Sequence, residues 1–343
     1  MDQVAYRSPM VDDRAIWDTW LSMHHFPAVA AADEVGLFKE LCAGRRRTEE
    51  LAAELDLDAR ALGILLGLLG GLGFAERRDG LWQATLVART YLDPDGHFFW
   101  GSMLRTFKER TPDCSRIVAA LKKDPPPSAA EARPSDAWER GDLDADTARR
   151  IAAFMHTHSL PASIGAARGG DFGSVRRLLD VGGGSGVFSV AIAQNWPGLR
   201  ATVMDLRAMC AAAQPYIDDG GCRDRVDTLA VDMFREAWPT GYDALFFSNI
   251  YHDWNDRVCA ELSAKAFTVL PPGGRIFLHE MLMNDNGDGP ATTASFSMLM
   301  LLGTKGRQYT LAELRGLLEG AGFQDVTARP TCSYYSLVSA RKR

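Results

Sequence analysis

The chain has little that would suit a membrane, an oxidised scaffold or a nucleic acid. No apolar run approaches the length of about 18 residues that a membrane span requires. The six cysteines, at 42, 114, 210, 222, 259 and 332, are scattered without a Cys-x-x-Cys spacing. That speaks against a zinc site or a disulfide frame and for reduced thiols in a cytoplasm. Basic residues are not in excess. The 38 Lys and Arg face 44 Asp and Glu, and the net charge of −6 has the wrong sign for nucleic acid or an anionic membrane as main partner. The first 13 residues carry acids and a proline where an export signal needs a basic and then an apolar segment, so a cytosolic protein is expected. No internal repeat is evident. What remains is a globular composition, 46% hydrophobic and 24% charged over 343 residues, of a size for two domains.

The most informative stretch is Asp180-Val181-Gly182-Gly183-Gly184-Ser185-Gly186, between the run Arg177-Leu178-Leu179 and an apolar-periodic run over 187–196. This pattern predicts a strand, a glycine turn and a helix. Glycine permits the positive φ of a tight turn and lets main chain approach a ligand, and a helix start offers unpaired N–H groups. Counted from Gly182, the third glycine of a Gly-x-Gly-x-x-Gly dinucleotide fingerprint is replaced by Val187, so the loop suits a ligand other than NAD. A second strand ends at Asp205 and a third, over 226–231, ends in Asp232-Met233. Open α/β sheets bind ligands at the carboxyl ends of their strands, so Asp180, Asp205 and Asp232 are expected to face one crevice.

Elsewhere, residues 14–43 are helical in period, with Ile16, Trp17, Trp20, Leu21 and Phe26 on a wide apolar surface. Two helical segments, 48–55 and 58–72, and a hairpin turning at Asp79-Gly80 follow, which is a winged-helix pattern. A regulator is the competing class for such a pattern. The second helix offers only Arg60 as a base, whereas phosphate and base contacts want several, so its apolar surface suits an interface instead. The proline-rich segment 122–134 reads as a surface loop, and a helix over 145–167, kinked near Pro161, carries Met155, His156 and His158. From 176 onward strands and helices alternate, with strands at 243–249, 275–283, 325–329 and 336–340 and a helix at 310–321. That implies a mostly parallel sheet with right-handed crossovers.

The motifs Leu179-Asp-Val-Gly-Gly-Gly-Ser-Gly186, Val231-Asp-Met-Phe234, Ile250-Tyr-His-Asp-Trp254, Pro272-Gly-Gly-Arg275 and Gly320-Ala-Gly-Phe-Gln324 occur in that order. By them the chain resembles the class I S-adenosylmethionine-dependent methyltransferases, within the caffeic acid and acetylserotonin O-methyltransferase group and its bacterial natural-product members. The resemblance covers nearly the whole length. It implies a Rossmann-like doubly wound, mostly parallel α/β sheet with a terminal antiparallel strand pair, preceded by a mainly α winged-helix dimerisation domain. The corresponding division is 1–100 for dimerisation, 101–170 for a helical linker that helps form the substrate pocket, and 171–343 for the catalytic domain. It further implies a homodimer acting on a small hydroxylated aromatic.

By the same resemblance, Asp180 and the loop with Gly182 and Gly184 would lie under the methionine part of the cofactor. Asp205 would hold the ribose with Leu206 beside it, and Asp232 and Met233 would flank the adenine. Ser248 stands where the family carries a basic residue. His252 is the expected general base, because a phenol must lose its proton for methylation and imidazole titrates near neutrality. Asp253 reads as an N-terminal helix residue and Trp254 as packing. The family flanks its base with two acids. Glu280 matches the first, and Gln308 replaces the second, keeping a hydrogen-bond acceptor without a charge. Phe154, Met155, His158, Asn249, Met298, Met300 and Leu301 would shape the acceptor pocket, and His24 or His25 would reach the partner's site. No metal is expected, since His156 and His158 at i, i+2 on a helix point apart. C-methylation of an activated phenol is the close rival, and hydroxylation, decarboxylation or a pericyclic step on the same fold a further one.

Overall fold

The computed structural model of the chain describes residues 11–108, 114–122, 138–141 and 143–343. From residue 123 on, the proline-rich segment lies outside them. The chain divides into two compact units, Met1–Thr111 and Pro112–Arg343.

In the first unit, α1 (Arg14–Leu21), α2 (His25–Glu34) and α3 (Leu37–Ala43) share the stretch that periodicity reads as one helical surface. The breaks have local causes, a 3-10 turn at Ser22–His24 and a left-handed Gly36 at φ 78°. Next come α4 (Thr48–Glu54) and α5 (Ala59–Gly71), the latter capped by the Asp58 side chain on the Ala61 N–H. The hairpin β1 (Ala75–Arg78) and β2 (Leu81–Ala84) turns at Asp79 and Gly80, both at positive φ, as a tight two-residue turn requires. Helices α6 (Leu86–Tyr91) and α7 (Gly101–Phe107) complete the unit. Its core is Leu37, Phe38, Leu41, Leu51, Leu66 and Leu69. Helix α1 buries none of its residues. Trp17 is 47% exposed and Trp20 58%, beside exposed Ile16, Leu21, Met23 and Phe26.

The second unit holds α8 (Cys114–Leu121), α9 (Ala145–Gly169) and a seven-stranded sheet. Its strands and helices alternate as β3 (Arg177–Val181), α10 (Val187–Asn195), β4 (Arg200–Asp205), α11 (Arg207–Asp219), β5 (Val226–Ala230), β6 (Ala244–Ser248), α12 (Asp256–Val269), β7 (Arg275–Met281), α13 (Ala291–Gly303) and α14 (Leu311–Gly320). The antiparallel pair β8 (Gln324–Cys332) and β9 (Tyr335–Arg341) closes the chain. Helix α9 continues through Pro161 and packs on α10, α11 and β8, so residues 145–169 belong with this unit.

The strand order is β5-β4-β3-β6-β7-β9-β8, parallel through β7 and antiparallel at β9 and β8. Period-2 alternation sends successive residues to opposite faces. Leu178, Phe246 and Phe277 enter one core with Phe172 and Phe188. Leu179, Phe247 and Leu278 enter the other with Trp254 and Tyr309. Because both faces are covered, the central strands are near-continuous apolar runs. Order reverses at β3, which lies between β4 and β6, and this places a crevice at the carboxyl ends of the parallel strands. Among the described residues no helix is long and apolar enough to cross a membrane.

Candidate active site

The glycine turn sits at that crevice. Gly182, Gly184 and Gly186 all have positive φ, 67°, 57° and 75°, so the alternate glycines are a conformational requirement of the loop. A Cβ on Gly182 would lie 2.5 Å from Ile250 Cδ1, whereas one on Gly184 would meet nothing within 4 Å. Gly184 therefore opens onto free space. Its N–H donates to Asp205 Oδ2 at 2.9 Å, and the Leu206 N–H donates to Asp205 Oδ1 at 2.7 Å. A carboxylate has about four acceptor positions, so Asp205 keeps lone pairs for further donors such as a diol. Burial pushes Asp205 up to about 6, against the pull of its two backbone N–H groups.

Asp180 departs from expectation. Its carboxylate turns beneath the loop, accepts from Ser189 Oγ at 2.7 Å and occupies the space where a Cβ on Gly183 would go, 2.8 Å away. It is 1% exposed. It supports the turn from below rather than facing the crevice with Asp205, and burial pushes it up to about 7 despite the Ser189 hydroxyl. On the far side of Asp205, the Val231 N–H donates to the Asp205 carbonyl, which ties the loop after β5 to this edge. Asp232 Oδ1 there accepts the N–H groups of Phe234 and Arg235, while Met233 stays half-buried. Ser248, at the end of β6, is hydrogen-bonded to His279 Nδ1 at 3.2 Å, and Asn249 follows, buried in a left-handed backbone at φ 56°.

Just past β6 the chain makes a 3-10 turn, Tyr251–Asp253, and Glu280 on β7 organises it. Glu280 Oε1 accepts the Ile250 and Tyr251 N–H groups at 3.1 and 3.0 Å, and Oε2 lies 2.8 Å from His252 Nδ1. That ion-pair contact is short, although the ring N–H is not aligned on the oxygen as in a full hydrogen bond. Asp253 Oδ1 is 3.8 Å from Nε2 and the Phe296 ring 5.1 Å from the imidazole, edge-on. Burial alone would lower the His252 pKa. The Glu280 charge and contact, then Asp253, outweigh it, and the imidazole is raised above its ordinary value. Burial pushes Asp253 up to about 7, partly offset by the His252 charge.

Asp253 is thus a neighbour of the ring, and the cap of α12 is Asn255, whose Oδ1 accepts the Val258 N–H at 3.1 Å. Trp254 packs, 1% exposed. Gln308 is buried with its N–H on Ser297 Oγ at 3.1 Å, but its amide finds no hydrogen-bond partner among the described residues, on His252 or elsewhere. Phe154, Met155 and His158 line one side of α9, half-buried, with His158 Nδ1 3.0 Å from the Phe154 carbonyl. Burial pushes His158 down, and the His252 charge, which reaches it, adds to the shift. Met298 is 39% exposed and lies off the buried face of α13, to which Met300 belongs, with Leu301 half-buried. Phe296 lies at helical spacing from Thr293 and Met300, both buried, on that face. His24 is exposed and His25 half-buried, both in the first unit.

The strand order with its glycine loop defines a class I methyltransferase. The O-methyltransferase domain family matches residues 128–324, and the chain belongs to that family. A 3-hydroxy-5-methyl-1-naphthoate 3-O-methyltransferase of Streptomyces sahachiroi is 35% identical over 301 residues, covering 87% of this chain and 86% of the relative. An L-tyrosine C(3)-methyltransferase of Streptomyces lavendulae is 28% identical, covering 88% and 84%. A solved methyltransferase of calicheamicin biosynthesis, in its S-adenosylhomocysteine-bound form, aligns with a TM-score of 0.83 at 25% identity over 98% of this chain and 100% of that one. Human N-acetylserotonin methyltransferase in complex with S-adenosylmethionine gives 0.80 at 23% identity over 98% and 99% and shares the fold.

The His252 turn is pressed against a second segment. The Lys305 N–H donates to the Asp253 carbonyl, and a Cβ on Gly306 would overlap the His252 carbonyl and lie 2.5 Å from Trp254 N. Displacements of about 1 Å at a reacting group cost on the order of 100-fold in rate. Gly306→Ala is therefore expected to lower methyl-transfer turnover by at least ~10-fold while the far-ultraviolet spectrum stays unchanged. Full turnover in that variant would show that the turn tolerates the shift.

Proposed function

We propose that this methyltransferase uses S-adenosylmethionine to methylate a hydroxyl of a small aromatic natural product, with His252 as general base and Glu280 as the group that orients and charges it. The observation that supports this most is the Glu280–His252 pair at 2.8 Å, at the same sheet edge as the glycine loop and Asp205. The residues fit the cofactor. Gly184 leaves room for a ligand, Asp205 has acceptor capacity for ribose hydroxyls, and Asp232 and Met233 follow one strand further along for the base. When bound, the cofactor supplies an electrophilic methyl group.

The chain's own task is to hold the acceptor and remove its proton. His252 Nδ1 faces Glu280, which leaves Nε2 as the nitrogen that takes the proton. Glu280 then stabilises the imidazolium, and burial of the pair keeps water from screening it. Phe154, Met155, His158, Asn249, Phe296 and Leu301 supply the apolar and polar walls for an aromatic acceptor. The naphthoate relative supports an aromatic hydroxyl, and the tyrosine C-methyltransferase keeps C-methylation as the second alternative. The exposed face of Ile16, Trp17, Trp20, Leu21 and Phe26 supports a homodimer through the first unit, since patches of this kind mark interaction sites. Six free cysteines fit a reducing cytosol.

His252→Ala should lose at least ~100-fold in turnover with S-adenosylhomocysteine affinity near wild type; retention of full turnover removes the base assignment. The base works when neutral, so turnover should fall as pH drops through its raised pKa. In Glu280→Gln the charge is gone and burial dominates, so the acid limb of the pH–rate profile should move to lower pH, with a lower plateau. An unmoved limb would contradict the pairing. Asp205→Ala should weaken S-adenosylhomocysteine binding by calorimetry, and unchanged affinity takes it out of the site. Position of a labelled methyl on oxygen or carbon, read by NMR with a panel of phenols, separates the two reactions. Trp17→Glu combined with Trp20→Glu should convert a dimer to a monomer in sedimentation, and a wild-type monomer or an unaffected dimer counts against the interface.

A further inference from the structure

The hydrogen bonds of the Lys265 ammonium all go to main chain. Lys265, on the third turn of α12, places its ammonium 2.7 Å from the Met233 carbonyl, 3.0 Å from that of Phe234 and 3.4 Å from that of Glu236. An ammonium has three donors and no acceptor, so three carbonyls match its capacity. The same ammonium stands 5.6 Å over the Trp238 ring, and the Trp238 Nε1–H donates to the Met233 carbonyl at 2.9 Å. No strand or helix partner satisfies these carbonyls, because residues 232–236 form a turn after β5. Carbonyls of a half-buried turn that lack donors cost free energy, so the bonds from Lys265 and Trp238 favour this shape of the turn.

The turn follows β5 at the carboxyl-end edge of the parallel strands. Across the sheet order β3, β4, β5, the strand ends carry the glycine loop, Asp205 and Asp232 in sequence. Neighbouring strands are about 4.8 Å apart, so this row spans roughly 10 Å, the scale of an extended nucleoside. Asp232 itself is fixed within the turn by the Phe234 and Arg235 N–H groups, and its own N–H donates to Glu236 Oε2 at 2.7 Å. Lys265 therefore holds the carbonyl side of the turn that carries Asp232 and Met233, the two residues that the cofactor assignment places at the adenine.

Helix α12 also backs the base. Cys259 Sγ lies 3.3 Å from the Tyr251 carbonyl, Ser263 Oγ bonds the Tyr251 hydroxyl at 2.9 Å, and Phe234 packs edge-on against Trp254 at 4.8 Å. One helix thus braces both the His252 turn and the turn after β5. Resting on the cofactor assignment above, we infer that Lys265 is a positioning residue for nucleoside recognition: it sets the shape of the 232–236 turn and thereby the affinity for the adenosine half of the cofactor, without touching it.

Charge-assisted hydrogen bonds are about twice as strong as neutral ones, and losing three should free the turn. Calorimetric titration of the full-length protein with S-adenosylhomocysteine and with 5′-methylthioadenosine reads the effect. Lys265→Met should bind both at least ~10-fold more weakly. The KM for S-adenosylmethionine should rise in proportion while kcat at saturation stays within about twofold, because the methyl end and His252 lie outside the turn. Trp238→Phe keeps an aromatic ring beside the ammonium and removes one donor to Met233, so a smaller loss in the same direction is expected, and it reads the clamp even where Lys265→Met does not fold. A merely structural lysine would lower the unfolding midpoint and leave both affinities and the KM unchanged in the folded variants; that result overturns the clamp. If the wild type binds neither ligand, the cofactor assignment fails and the clamp with it. Wild-type binding with unchanged variants overturns the clamp alone.

Discussion

One buried carboxylate holds the His252 turn together. Glu280 accepts two successive backbone N–H groups at the start of the His252 turn with one oxygen and faces the imidazole with the other. The turn has no side-chain cap of its own, so its leading N–H groups would be buried donors without partners if Glu280 were absent. The same contact fixes which imidazole nitrogen faces inward and favours the charged form of the ring. Backbone geometry and proton affinity therefore have a common cause. A neutral isostere separates them, because an amide oxygen still accepts the N–H groups but brings no charge.

The donor side is built on different physics. Its loop depends on three alternating left-handed glycines and on Asp180, which fills the space under the loop and accepts from Ser189. The acid that does face the crevice, Asp205, is partly used by Gly184 and Leu206 and is fixed in direction by them. Helix α12 links the two sides, with Cys259 and Ser263 against the His252 turn and Lys265 on the turn after β5. The segment 305–309 closes the arrangement from another direction through Lys305 on Asp253 and the Tyr309 hydroxyl on the Trp254 carbonyl at 2.8 Å.

Most of the fold was legible because its elements obey strong local rules. Strands β3, β6 and β7 are short apolar runs bounded by turn residues, and the glycine loop announces the strand-to-helix turn after β3. The stretch 14–43 is helical as its period predicts, and the break at Gly36 shows only in the backbone conformation, because helical period continues across it. In the site, the family resemblance implies the pairing of Glu280 with His252, and the two groups lie 2.8 Å apart. Asp253, read from sequence as a helix start, instead neighbours Nε2, because α12 begins three residues later, at Asp256, behind its cap Asn255. Phe296 was missed beside Met298, which the structure turns toward solvent.

Residue order by itself determined the alternating architecture, the glycine turn, the strand-end acids and the histidine-containing turn, because each follows from neighbours within a few positions. Tertiary structure decided which acid faces the crevice, which groups flank the imidazole and what holds the turn after β5. Those contacts join residues 21 to 95 positions apart, such as Gly184 with Asp205, Ile250 with Glu280, Lys265 with Met233 and Arg235 with Arg140. Local pattern carries no information on which of several buried polar groups will meet. That pairing is set by the sheet order and by the need of each buried donor and acceptor for a partner.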